Sequence, residues 1–278
     1  MKTMTLPLEA TAPENPPGFV VRTEAQQAAW DNGYRQERGI ADGWLHYAST
    51  TAPGSIWIAG CSGHGPWLLS IAHSGVAAEV GSASVSPLAG PGVATFVFPT
   101  VKELHIMLDR VYKLAMSLPE APLDRFKAKT ANLPRTTEAE RWVIQRIGQD
   151  VFRAALLDYW DSRCPLTGIT DPALLRASHI IPWSDCSDEQ RLDVHNGLLL
   201  SALWDAAFDC GLVSFADDGT VLASPQLSQR ARVALDLGNT RPLTGLRDAH
   251  RANLAVHRAR NGFDIEGRYS GSTAGSGI

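Results

Sequence analysis

The apolar positions of the chain change period several times, and those changes divide it. Met1 to Gly18 holds Pro, Thr and Glu with no apolar period, which reads as a loose arm. Thr23 and Gln26 stand at capping-box spacing ahead of Ala25, Ala28, Ala29 and Trp30, predicting a helix over about 24–38. From Gly43 to Pro99 short apolar runs are broken by Gly, Ser and Pro. WLHYAS, SIWIAG, WLLSIAHSG, VAAEVG and ATFVF predict an antiparallel meander. Leu104, Met107, Leu108, Val111, Tyr112 and Ala115 then recur at helical spacing over 101–118, a stripe suited to lie on that sheet.

Pro119 to Pro134 reads as a linker with a basic middle. A second capping box, Thr137 with Glu140, opens a long helix to about Trp160, with Trp142, Val143, Ile147, Val151, Phe152, Ala155, Leu156 and Tyr159 as its apolar face. Arg141, Arg146 and Arg153 fall elsewhere on its surface. Ala177 to Trp183 is a short apolar run closed by a proline, the pattern of a buried strand, and it contains His179. Asn196-Gly197 reads as a turn feeding Leu198 to Leu200 as a second, pairing strand. SALWDAAFDCG follows as a helix that Gly211 can end, with Asp205 and Asp209 four apart and therefore on one face. LVSF and TVLAS flank ADDG as a further hairpin, and the residues from Ile265 onward read as a disordered tail.

The expected fold class is α+β: an N-terminal antiparallel sheet with flanking helices, then a strand-strand-helix domain. The expected division is an arm at 1–18, a DNA-recognition or regulatory domain at 19–120, a linker at 121–135, a second domain at 136–264 and a tail at 265–278. Four cysteines, none in paired Cys-x-x-Cys spacing, and the lack of a signal-peptide pattern or membrane-length apolar run point to a cytoplasmic protein without membrane attachment.

The chemistry gathers at the second domain. Strand, turn, strand and helix bring one imidazole (His179), one amide (Asn196) and two carboxylates (Asp205, Asp209) around one hollow, where a hard cation would fit. The motifs CPLTG at Cys164 to Gly168, HIIPW at His179 to Trp183, NGLLL at Asn196 to Leu200 and DAAFDCGL at Asp205 to Leu212 stand in order. Together they resemble the HNH family of endonucleases, whose ββα-metal site is a hairpin packed on a helix around one divalent ion. The resemblance covers about 164–263. It implies that His179 is the general base, that Asn196 orients it or touches the metal, and that Asp205 and Asp209 hold one Mg²⁺ or Mn²⁺ ion. Many members place an acidic or imidazole ligand just before the base, where this chain has the hydroxyl of Ser178.

The resemblance further implies a phosphodiester hydrolase acting on DNA, of the bacterial restriction or defence kind, with the N-terminal domain selecting the DNA, modified bases being one class it could read. A homodimer on a palindromic site is the simplest way to cut both strands. The competing reading is a DNA-binding or ligand-controlled regulatory protein on an inactive or gated HNH fold.

Charge adds one feature. The chain carries a net charge of −4, yet residues 225–263 hold seven arginines against two aspartates. Arg251, Arg258 and Arg260 in that segment, with Arg176 beside the base, are the candidate DNA contacts. A solvated helical face explains the same pattern. His195 and His257 read as structural. In the N-terminal domain Arg22, Arg35, Arg38, His46, Tyr47, Trp57, His64 and Trp67 could stack on bases or bind phosphate, although alternation with small residues is also what a sheet core shows. GCSGHG at 60–65 lacks the lysine and spacing of a phosphate loop and reads as a hairpin loop.

Overall fold

The structure is a computed structural model that describes residues 12–81, 85–134 and 136–263. The tail from Ile265 and the first part of the arm lie outside those residues. The chain divides into two compact units, Met1–Ala121 and Pro122–Ile278.

The first unit is built on a five-stranded antiparallel meander. Its strands are β1 (Gln36–Ala41), β2 (Trp44–Ala48), β3 (Ser55–Gly60), β4 (Trp67–Ile71) and β5 (Ala94–Phe98), in that spatial order. Leu45 pairs with Ile58, Tyr47 with Ile56, Ile58 with Leu69 and Leu69 with Phe96, so these apolar side chains share one face. That face meets α1 (Phe19–Asp31) and α3 (Val101–Ser117). Three expectations change here. Helix α1 starts at Phe19 and stops at Asp31, because the Thr23 hydroxyl donates back to the Phe19 carbonyl and caps nothing, and Gly33 at φ 86° turns the chain into edge strand β1. The run VAAEVG is helical (α2, Ser74–Val80): His73 Nδ1 accepts from the Val76 amide, and Gly81 at φ 76° follows its end. Residues 12–18 of the expected arm are described, and the Glu14 amide donates to the Gly60 carbonyl at 2.9 Å.

Among the N-terminal ligand candidates, Tyr47 and Trp67 are buried core. His46 and Trp57 stack on the other sheet face, 4.6 Å between centroids. The loop of GCSGHG joins β3 to β4, as expected of a hairpin.

The expected linker is helical instead. Its helix, α4 (Glu120–Thr130), carries Glu120 in its first turn and Lys127 and Lys129 in its last, charges that suit the helix dipole, and Phe126 is buried. The long helix α5 (Glu138–Tyr159) begins at the Thr137/Glu140 capping box, as its sequence predicts. Its apolar face is shorter than expected: Trp142 and Val143 are exposed, while burial begins at Gly148. The second unit continues with β6 (Leu175–His179), α6 (Asp188–Leu192), β7 (Gly197–Ser201), α7 (Ala202–Asp209), the β8/β9 hairpin (Val213–Phe215, Val221–Ala223), α8 (Gln229–Ala234) and α9 (Asp248–Asn261). Its core gathers Ile180, Leu198, Leu200, Trp204, Phe208, Phe215 and Leu254.

Strands β6 and β7 pair antiparallel from Leu175 opposite Ser201 to His179 opposite Gly197. Strand β6 therefore stops at His179 and does not run on to Trp183. The two strands are not joined by a tight Asn-Gly turn either. Residues 180–196 form a longer connection holding α6, and Gly197 is extended at φ −150°. The glycine serves close packing: a Cβ there would lie 2.4 Å from Phe152 Cζ and 2.9 Å from Leu156 Cδ1. Helix α5 thus presses directly on the strand opposite His179.

Candidate active site

Neighbouring residues of a strand point to opposite faces, and Ser178 and His179 do so at the end of β6. Ser178 turns toward α7, where its hydroxyl donates to Asp205 Oδ1. His179 turns toward α5, where its ring stacks on Phe152 with centroids 3.8 Å apart and an interplanar angle of 18°. Trp183 packs edge-on to the same imidazole at 5.4 Å. His179 Nε2 lies 2.9 Å from the Arg191 carbonyl. A carbonyl oxygen can only accept, so Nε2 carries the proton and Nδ1 is left as the basic nitrogen. Burial lowers the His179 pKa below its ordinary value; the Arg191 carbonyl bond opposes this and the Arg191 charge reinforces it. The ring is neutral at pH 7, the state in which an imidazole can accept a proton.

Asn196 does not touch that ring by its side chain. Its Oδ1 accepts from the Ile181 amide at 2.8 Å, and its Nδ2 donates to the carbonyls of Gln190 and Ile181 at 3.1 and 3.3 Å. Its own carbonyl accepts from the Ile180 amide at 3.0 Å. The buried amide therefore ties both ends of the 180–191 stretch together, and that stretch supplies the Arg191 carbonyl. Its geometry is that of a positioning residue acting through the loop, and not of a metal ligand.

Asp205 is half-buried near the start of α7, and Asp209 stands exposed one turn on. The Asp205 carboxyl is raised above the ordinary carboxylate range, first by burial and then by the charge of Asp209; the Ser178 hydroxyl and Arg176 pull it back. Two carboxylates that repel one another beside a hydroxyl form an oxygen-only donor set, which suits a hard divalent cation. Among the described residues no three His, Cys, Asp or Glu side chains converge as a metal cluster, so water and a substrate oxygen would have to complete the shell.

On the His179 side of β6 lies a hollow of about 380 Å³ lined by Arg146, Gln149, Asp150, Phe152, Arg153, Arg176, Ala177 and His179. Arg153 is braced by the carbonyls of Leu175 and Pro172 at 2.8 and 2.7 Å, and Arg176 by those of Ala173 and Leu175 at 2.9 and 3.0 Å. Three guanidinium groups against one carboxylate give the hollow a net positive lining beside the His179 imidazole. Arg146 and Arg153, assigned to the outer helix surface by sequence, belong to this hollow. Their spacing of seven puts them on one helix face, but only the packing of α5 beside β6 brings that face to His179.

Residues 164–216 match the family model described as HNH endonuclease. The C-terminal part of the chain carries an HNH endonuclease domain. No family model matches the N-terminal region, and no curated protein matches the chain. The matched span contains Arg176, Ser178, His179, Asn196, Asp205 and Asp209 but not the α5 residues that line the hollow. The α9 arginines lie beyond it. Arg258 is held by the Phe215 carbonyl and Asp217 with only 12% of its side chain exposed. Arg251 bonds the Asp217 carbonyl and Asp248, and Arg260 bonds Asp185. Arg258 is held within the domain, Arg251 and Arg260 pair at its surface, and none of the three lines the hollow. The structural reading of the remaining histidines fits their bonds: His195 Nδ1 meets Asp193 at 2.9 Å, and buried His257 lies between Ser214 and the Phe208 carbonyl.

Proposed function

We propose that the protein is a metal-dependent DNA endonuclease of the restriction or defence kind, whose C-terminal unit hydrolyses a phosphodiester bond and whose N-terminal unit selects the DNA. The observation that carries this reading is the His179 imidazole, held as the Nε2–H tautomer by the Arg191 carbonyl and opening on an arginine-lined hollow. The scissile phosphate sits in that hollow, its charge balanced by Arg146, Arg153 and Arg176. His179 Nδ1 takes a proton from water as the water oxygen bonds to phosphorus; the bond from phosphorus to the leaving deoxyribose oxygen breaks, and that oxygen takes a proton from solvent water. Asp205, Asp209 and the Ser178 hydroxyl are the residues that would hold Mg²⁺ or Mn²⁺. An ion there would supply positive charge to offset the negative charge that develops on the phosphodiester as it is attacked. Asn196 keeps the carbonyl that holds His179 in place.

One site cuts one strand, so a double-strand break takes a paired arrangement of two copies or two visits. The selecting role of the first unit is supported by its separate core and by the half-exposed His46–Trp57 stack, which offers an aromatic surface to a base. Side-by-side cleavage of unmodified and cytosine-modified DNA tests it. Unequal cutting supports selection by modification, and equal cutting removes it.

A second reading draws on Ser178. A hydroxyl stands next to the base and is engaged with Asp205, which favours a DNA-binding protein on an inactive HNH fold. Tight binding without metal-dependent cutting under any of these conditions would establish that reading in place of the first.

A further inference from the structure

The His179 hollow has a neighbour that the proposed hydrolysis does not use. A second hollow, of about 590 Å³, opens on the other side of Trp183. Phe126, Ile144 and Trp183 give it apolar lining, and Arg141, Gln145, Asp188 and Arg191 give it polar lining. The volume is that of a small-molecule site. Gly148 makes it possible: a Cβ there would lie 2.6 Å from Trp183 Cη2 and 3.4 Å from Phe126 Cε2, so the absence of a side chain lets both rings close over α5.

The chemistry of the lining selects its ligand. Trp183 is partly exposed and offers ring surface to a flat heterocycle with buried Phe126 behind it, and the Arg191 guanidinium lies 5.1 Å from the Trp183 ring centre. Asp188 and Gln145 provide acceptors for an exocyclic amine. Arg191 is already bonded to Asp188 and to the Trp183 carbonyl, whereas Arg141 is exposed with no side-chain partner among the described residues. A free cation on an aromatic-lined hollow calls for a ring bearing a phosphate. Position agrees, because Trp183 touches the His179 ring on one side and lines this hollow on the other.

We infer that this hollow binds a nucleotide, its base against Trp183 and its phosphate on Arg141. The nucleotide is either the residue flanking the scissile phosphate of the substrate strand or a free mononucleotide. The assignment rests on the endonuclease reading only for the first source.

The test measures binding in the absence of divalent metal, so it does not depend on cutting. Two probes are titrated against the full-length protein: a single-stranded hexanucleotide containing 2-aminopurine, and 2-aminopurine deoxyribonucleoside monophosphate. The fluorescence of this base falls when it stacks. Wild type should quench the probe saturably, Arg141→Glu and Gln145→Trp should weaken that quench by about tenfold or more, and Arg141→Lys should restore most of it. Arg146→Glu, in the other hollow, should weaken hexanucleotide binding while leaving the quench at saturation unchanged. Quenching of the hexanucleotide alone identifies the substrate strand as the source, and quenching of the monophosphate as well identifies a free nucleotide. The proposal is overturned if neither probe is quenched, or if Arg141→Glu and Gln145→Trp quench as wild type does. A failed nuclease assay with the quench intact would count against the cutting and leave this site standing.

Discussion

Asn196→Ala probes the link between the loop and the base most sharply. The wild-type amide is buried and satisfies the Ile181 amide at 2.8 Å and the Gln190 and Ile181 carbonyls at 3.1 and 3.3 Å. Truncation strands one donor and one or two acceptors in a place that water reaches poorly, each costing ~1–3 kcal/mol. Because Ile181 is half-buried and part of its loss is recovered by solvent, the total should be about 2–4 kcal/mol. With a urea dependence of ~1–3 kcal/mol per molar, the unfolding midpoint of the C-terminal unit should fall by roughly 1–2 M. Urea titration followed by tryptophan fluorescence reads this, since Trp160, Trp183 and Trp204 all lie in that unit. At low urea, where the variant is folded, kcat should drop while KM stays near wild type, because the loop that holds His179 loosens and the arginines of the hollow do not move. A midpoint within about 0.2 M of wild type would refute the reasoning. Wild-type stability with abolished cleavage would return Asn196 to the reacting atoms.

Three further outcomes follow from the same geometry. Gly197→Ala drives a methyl into Phe152 and Leu156 and should destabilise the C-terminal unit by about 1–3 kcal/mol; an unchanged melting curve would mean that α5 does not press on β7. Since His179 must be neutral to accept a proton and its pKa is lowered, kcat/KM should stay high as pH falls and be lost only below about 6.5; an acidic limb above that value would contradict the burial argument. Arg146→Ala and Arg153→Ala should each raise KM for DNA several-fold and flatten its dependence on salt, whereas Arg258→Ala should lower stability and leave the salt slope alone.

How much of this the sequence carried depends on range. Capping boxes act within four residues, and Thr137 with Glu140 placed the start of α5 correctly; Thr23 with Gln26 misled because the Thr23 hydroxyl bonds backward to Phe19 and the chain is needed for β1. The meander was legible from its broken apolar runs, but VAAEVG has no periodicity that separates strand from helix over so few residues. Ser178 and Asp205 meet as expected, with Asp209 one turn beyond and His179 on the other face of β6, since the hairpin and α7 are continuous in sequence. Asn196-Gly197 was found for the wrong reason: the amide ties a loop and the glycine admits α5, and neither makes the expected turn. Arg146 and Arg153 were set aside because only the packing of α5 beside β6 brings them to His179, a long-range fact that local pattern does not hold. In the arginine-rich C-terminal segment Arg258 is taken up by the Phe215 carbonyl and Asp217, while Arg251 and Arg260 pair with Asp248 and Asp185 at the surface, partnerships that charge pattern alone does not reveal.

The most direct measurement is nicking of supercoiled plasmid by wild type and by His179→Ala, with Mg²⁺ or Mn²⁺ and with chelator. Cutting by wild type only, dependent on the ion and reduced ~10²–10⁴-fold in the variant, is the result the account predicts. Equal cutting by both proteins would contradict it by removing His179 from the reaction, and binding without cutting by wild type would leave the inactive HNH fold as the reading that stands.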